Sequence, residues 1–409
     1  MCSERRQHSE RGAVLVHVAL AIIALVAFTT FVVDYGVLYA SRRQAQNVAD
    51  AAALAGAVAF GFDSTDTTTS GPAYLSAQSM IQSHRVWGQV PVADVTFVCP
   101  PGETGTCIRV DVFRNQARGN PLPTFFGKLV GLVDQDIRAT ATAKVAIGNA
   151  TDCLKPWGVI DKWAEYQPTV QPWDNASIFH KYINQGPNSG DPDPTLVPPD
   201  NYVPPTTSGP GTGFAPYDAN HNFTNDYGRQ IELKVGDQTD FEYASGWFAP
   251  LNLFDSRGGN DYLENIKGCV GVTYKIGDEL DILTNPGQKV GPTRQGVEDD
   301  IDSIVLQDPN AVWSSTPNNG AGGVINSAFA VSPRIVAVPL VDPDWMAMTQ
   351  KNGLTKVKIV NIMGFFVEGY DQPTKAVVGR LMTLPGMQTA GPEPIGGQSA
   401  FMQAIVLIR

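Results

Sequence analysis

Positive charge is in short supply in this chain. Lys and Arg number 29 against 40 Asp and Glu, giving a formal net charge of −11 and a pI near 4.9. Proteins that hold nucleic acid neutralise phosphates with a basic surface, so nucleic acid is excluded as the main partner. Histidine is scarce too. There are five, at positions 8, 17, 84, 180 and 221, with no clustering in sequence. The five cysteines include no CxxC and lie beside no histidine, which argues against a zinc centre.

Motifs for catalysis are missing as well. Ser399 in "GGQSAF" lacks the following glycine of a nucleophile elbow. "NPGQKVGPTRQG", residues 285–296, is glycine-rich and precedes a helical pattern, but it lacks the G-K-[ST] ending that cradles phosphate. It reads as a turn and a helix start. The expectation is a protein that is not an enzyme and carries no cofactor.

What remains is apolar and rich in turn residues. The 409 residues are 43% hydrophobic and 17% charged, enough to bury a core in two or three domains. Gly (40) and Pro (30) favour strands, turns and long loops over helical bundles.

One long apolar run stands out. Gly12 to Val33 carries no formal charge and, as a helix, spans about 33 Å, the thickness of a bilayer core. His17 is the ionisable group inside it, and Asp34 follows it. The run is too long for the apolar region of a cleaved signal peptide, and no small-residue cleavage site follows directly, so an uncleaved anchor is expected. Arg5, Arg6 and Arg11 precede the run, while Arg42 and Arg43 follow. That count favours an N-terminus in the cytosol. The cysteines agree. Cys2 falls before the run, in the reducing compartment, and Cys99, Cys107, Cys153 and Cys269 all fall after it, where disulfides persist. Cys99 and Cys107 bracket "PPGETGT", a turn that a local bridge can close, which leaves Cys153 with Cys269. Four buried thiols are the alternative.

The helical pattern does not stop at Val33. Leu38, Ser41, Ala45, Val48, Ala52, Ala55 and Ala59 recur at steps of three and four with no proline between them. A single helix of roughly 45–50 residues is expected, membrane-bound below and soluble above. Its small-residue face suits close packing against another helix. Leu38, Ala45, Val48, Ala52 and Ala55 are therefore the candidate assembly seam.

The segment "ERGAVLVHVALAIIALVAFTTFVVDYGVLYASRRQAQNVADAAALAGA", residues 10–57, resembles the N-terminal part of Tad (tight adherence, Flp pilus) assembly proteins of the TadE/TadG-like type. The shared features are R-G before the apolar run, V-D-x-G at its end, a basic pair, and Q-N-x-A-D-A-A-A-L-A-G-A. "CLKPWGVIDKW", residues 153–163, resembles a second stretch of such proteins. The resemblance implies a pilus or secretion apparatus at the bacterial inner membrane, with lipid and other apparatus subunits as partners. Processed pilins carry Glu five residues after the cleaved glycine. His17 stands there, so prepilin-type cleavage is not implied. Some relatives carry a metal site of pattern D-x-S-x-S; "DIDSIV" at 300–305 does not supply it.

The rest of the chain fits an α+β protein. Residues 61–150 combine a helical pattern in "GPAYLSAQSMIQSHRV", strand patterns in "VADVTFVC", "CIRVDVFR" and "DIRATATAKVAIG", and an apolar "LPTFFGKLVGLV" that reads as a second helix. The expected organisation is a cytosolic tail (1–11), a transmembrane helix (12–33), a stalk helix (34–60), a pilin-like α/β unit (61–150) and a mainly β extracytoplasmic domain (151–409). A proline-rich excursion, 187–216, interrupts the last of these. Elsewhere in the 151–409 domain "PTRQGVEDDIDSIVLQD" reads as a helix burying Val297, Ile301, Ile304 and Val305. The loop "DANHNFTND" alternates oxygen-bearing side chains, making Asp218, Asn220, Asn222 and Asp226 a calcium candidate set, although Phe223 and Arg229 replace the expected Gly and Glu. Six tryptophans after residue 151 keep open a surface adhesin or carbohydrate-binding module on the same anchor, with core packing as their ordinary role.

Overall fold

The computed structural model describes residues 6–62, 66–103, 105–166, 170–180, 200–236, 243–254, 259–283, 286–329, 331–350, 356–389 and 394–408. Residues 1–5 of the expected tail and 187–199 of the proline-rich excursion lie outside the described residues. The chain divides into two compact units, residues 1–145 with 405–409, and residues 146–404.

The first unit is built on one helix, α1 (Arg6–Phe62), of 57 residues and about 85 Å. Its upper part has a buried face made of Ala45, Val48, Ala49, Ala52, Ala53, Ala57 and Phe60. These small side chains let two partners approach closely. One is α2 (Pro72–Ser83), which begins with a proline at its first turn and buries Ala73, Ala77 and Ile81. The other is an antiparallel sheet of β1 (Val92–Thr96), β2 (Cys107–Arg114) and β3 (Ile137–Ile147). Residues 405–408 of the last strand add to its far side. Along β2, Ile108, Val110 and Val112 alternate inward, and Ala139, Ala141 and Ala143 do the same along β3. Each fully buried valine or isoleucine contributes about 1.5–3 kcal/mol. Cys99 is bridged to Cys107 across the turn before β2.

"LPTFFGKLVGLV" is not a helix. It forms a two-residue strand, Leu122–Pro123, a short 3-10 turn, Gly127–Val130, and a left-handed Gly131. The reason lies outside the segment. Asp34 accepts the amide hydrogens of Phe125, Phe126 and Gly127, fixing a turn where an isolated helix would continue.

The second unit is mainly β. Its sheet contains β4 (Trp157–Ile160), β5 (Gln230–Val235), β6 (Trp247–Pro250), β7 (Glu279–Asp281), β8 (Ile335–Val341), β9 (Lys356–Asp371) and β10 (Ala376–Met382). The order is β7-β9-β8-β4-β6-β5-β10, and β10 also pairs with β9. That last pairing closes six of the strands into a ring, leaving β7 outside it. Closure removes the open edges that would otherwise invite pairing with another chain. β8–β4 and β6–β5 are parallel and the remaining pairs antiparallel. Val159, Leu233, Phe248, Leu340, Phe365 and Val377 are buried in its core.

The expected helix over residues 292–308 breaks in two. Helical turns cover Val290–Arg294 and Gln295–Asp299, Asp300 is extended, and a short helix resumes at Ile304–Gln307. Val297 and Ile304 are buried as expected, but Ile301 is 93% exposed. The cause is electrostatic. Lys267 gathers Glu264, Asp300 and Asp302 within 3.0–3.3 Å and draws the acidic stretch out of helical register.

Candidate functional site

α1 changes character along its length, and the change defines the candidate site. From Val14 to Tyr35 its large side chains are exposed; Leu15 is 72% and Phe28 68% open. From Val37 upward one face is buried. An apolar surface of this length on a water-soluble helix would be an aggregation hazard. It matches the hydrocarbon thickness of a bilayer instead. Among the described residues, this is the helix long and apolar enough to cross a membrane. Thr29 donates its hydroxyl hydrogen to the Leu25 carbonyl at 2.8 Å, so its own hydroxyl is not left open. His17 sits on the same exposed surface.

Asp34, at the upper end, has a structural task that sequence reasoning missed. Its two carboxylate oxygens accept N–H groups from Phe125 at 2.7 Å, Phe126 at 3.1 Å and Gly127 at 2.6 Å. It thereby ties the loop 124–133 to the top of the exposed stretch. Nothing in the local pattern could have revealed this, because the partners are about ninety residues away.

The candidate seam is corrected by the fold. Ala45, Val48 and Ala52 belong to the core of the first unit, Leu38 packs against it, and Ala55 is half-buried. The face expected to meet other subunits is taken by α2 and the sheet of this chain. The small side chains of this face pack closely within the first unit itself.

The calcium candidate set is not gathered into one cage. Asp218 forms an Asx turn, accepting the N–H groups of Asn220 at 2.8 Å and Asn222 at 2.9 Å. Asp226 is buried elsewhere, paired with Lys162 and accepting the Ala215 amide. The six tryptophans after residue 151 are buried or half-buried, with Trp157 and Trp163 fully enclosed. Trp157, Trp163 and Trp247 belong to the core of the second unit, and Trp173 and Trp313 pack against buried clusters.

"CLKPWGVIDKW" becomes the framework of the second unit. Cys153 is bridged to Cys269. Lys155 is buried and donates to the Ile266 and Gly268 carbonyls at 2.6 and 2.7 Å, capping the C-terminal end of the helix Gly259–Lys267. Burial pulls its ammonium down to about 7. Asp161, fully buried, accepts hydrogens from the Tyr202 hydroxyl, the Phe214 amide and the Lys162 amide. Burial raises its carboxyl to about 6 against these donors.

A cluster that the sequence did not disclose lies near this motif. One ligand atom each from Glu165, His180 and Asp200, all buried, lies within 4.8 Å of the others, the spacing of residues that could hold a metal ion. These groups already serve the fold. Glu165 accepts the Trp163 indole N–H at 3.0 Å, and Asp200 accepts the amides of Tyr166 and His180. Burial raises the Glu165 carboxyl, and the neighbouring Asp200 charge adds to the rise.

An exposed apolar helical span that continues into a packed α+β body fits a membrane-anchored protein. Residues 12–59 match the family model Tad, described as Flp pilus-assembly TadE/G-like. This match covers the span and the stalk, and it supports a role in pilus assembly. No curated protein and no solved structure matches the chain.

Proposed function

We propose that this protein is a non-catalytic structural component of a Tad-type pilus or related secretion apparatus, held in the bacterial inner membrane by a single pass of α1. The N-terminus faces the cytosol, and the chain beyond the membrane-spanning part of α1 lies outside. The observation that carries this reading is the coincidence of the Tad match with a helix that is apolar and bare below and packed above. Both disulfides form on the same side of the span, which fits an oxidising compartment there, while Cys2 stays on the other side. Partner subunits and lipid share the exposed surface of residues 14–36, since the alanine face higher up is occupied.

Photo-crosslinking in cells tests this. A probe at Phe28 is expected to give adducts with other apparatus subunits, and a probe at Ala52 none. Recovery of the protein in the soluble fraction without residues 12–33, or adducts at Ala52 alone, would overturn the reading.

A further inference from the structure

The loop between the short strand Leu122–Pro123 and β3 is built the wrong way round for water. Phe125, Leu132 and Val133 are each more than half exposed, and Phe126 is 39% exposed. Several of its backbone polar groups, in contrast, are satisfied within the protein. Asp34 takes three amides; Thr124 donates its N–H to the Val133 carbonyl and its hydroxyl to the Leu132 carbonyl at 2.5 Å; the Leu132 N–H returns to the Gly127 carbonyl at 2.9 Å. Loops in water show the reverse, with polar side chains outward and backbone hydrated. Satisfied backbone under apolar side chains is what a lipid environment demands.

Position points the same way. The loop and α1 form the two walls of one groove of about 690 Å³. On the helix side the groove runs from Ile22 and Ile23 up to Leu38; on the loop side it includes Phe126 and Leu132. Ile23 lies about 16 Å below Asp34 along the helix, inside the stretch assigned to the bilayer. A loop sharing a groove with it reaches the acyl boundary. Lys128, exposed at the loop tip, has the long stem that lets an ammonium extend back to phosphate headgroups. Trp87 stands edge-on to Phe125 at 6.2 Å, and with Tyr35 and Tyr39 it supplies aromatic side chains of the kind enriched at membrane interfaces.

We infer that residues 124–133 form a second membrane contact, a lipid-inserted loop latched to the anchor by Asp34. The occupant of this surface is the outer leaflet of the same bilayer. The inference rests on the anchor reading above. It adds that the first unit is seated on the membrane at two points, which fixes the unit's tilt; a single helix would leave it free to swivel.

The test uses the full chain carrying Cys2→Ser, reconstituted in phosphatidylethanolamine–phosphatidylglycerol vesicles. An environment-sensitive fluorophore is attached to a single introduced cysteine at Leu132, at Ile23 or at the exposed Ala117 of the same unit. Quenching by a spin label on the lipid chain is compared with quenching by aqueous iodide. The expected result is that the probes at 132 and 23 are quenched by lipid and the probe at 117 by iodide. In Asp34→Ala the probe at 132 loses most of its lipid quenching while that at 23 keeps it. If 23 responds to lipid but 132 responds to iodide, the loop inference fails and the anchor stands. If neither responds to lipid, the anchor itself fails. A probe at 132 shielded from both quenchers would put protein there, and would overturn the lipid assignment. Unchanged quenching at 132 in Asp34→Ala would refute the latch.

Discussion

Substitution of Ala52 by leucine separates a helix face buried within this chain from one reserved for another subunit. Ala52 is fully buried. One turn further on, a Cβ added at Gly56 would already lie 3.0 Å from Ile108 Cγ2, 3.2 Å from the Ala73 carbonyl oxygen and 3.4 Å from Ala77 Cβ. The helices and sheet are therefore in contact through their smallest groups, and no void awaits three extra carbons. Overpacking of this kind costs about 1–3 kcal/mol, and the neighbouring backbone atoms favour the upper end. For a unit of this size that lowers the melting temperature by about 2–12 °C. Thermal unfolding of the detergent-solubilised protein, without any partner present, measures it. Val58, half exposed on the same helix, is the control, and Val58→Leu should be neutral within about 0.5 kcal/mol. If Ala52→Leu melts with the wild type while losing co-purification with other subunits, the face is intermolecular and the packing argument is wrong.

The remaining expectations concern burial, charge and covalent links. Asp161 keeps a raised carboxyl, from 3.8 to about 6, so in the fold it holds a proton that the unfolded chain has already lost. Its contribution is complete below pH about 4 and lost as pH rises through 6, a span of about 3 kcal/mol; the stability difference between wild type and Asp161→Asn should shrink by that order across this window in urea titrations, and a constant difference would refute it. Arg114 is buried and donates to the carbonyls of Val86, Asn120 and Pro121. Arg114→Met strands three acceptors at about 1–3 kcal/mol each, so a loss below about 1 kcal/mol in chemical denaturation would show that water reaches them. Thiol titration in denaturant without reductant should find one reactive thiol per chain, Cys2, with four more after reduction. More than one before reduction would contradict the two bridges. Reducing the Cys153–Cys269 link, which closes a loop of 116 residues, should cost about 2–4 kcal/mol in chemical denaturation.

Local chemistry decided a good part of this protein. The apolar run from residue 12 to 33, the unbroken helix above it and the alternating strands of both units are set by periodicities of 3.6 and 2, which neighbouring residues carry by themselves. Cysteine spacing anticipated both disulfides, because the turn at Pro101–Gly102 brings Cys99 and Cys107 together and leaves a single remaining pair. Tertiary structure decided whatever depends on residues far apart meeting. The alanine face looked equally suited to a neighbour's helix or to this chain's own sheet, since a small-residue stripe specifies a close approach and not a partner. "LPTFFGKLVGLV" has the composition of a helix, yet a carboxylate about ninety residues earlier holds its first amides in a turn. Ile301 has the spacing of a core residue, yet Lys267 draws the acids around it outward. Glu165, His180 and Asp200 are scattered along the chain and converge only when the second unit folds. Closure of six strands into a ring is fixed by pairing between β9 and β10 and by two parallel contacts, long-range bonds that leave no trace in any single stretch of sequence.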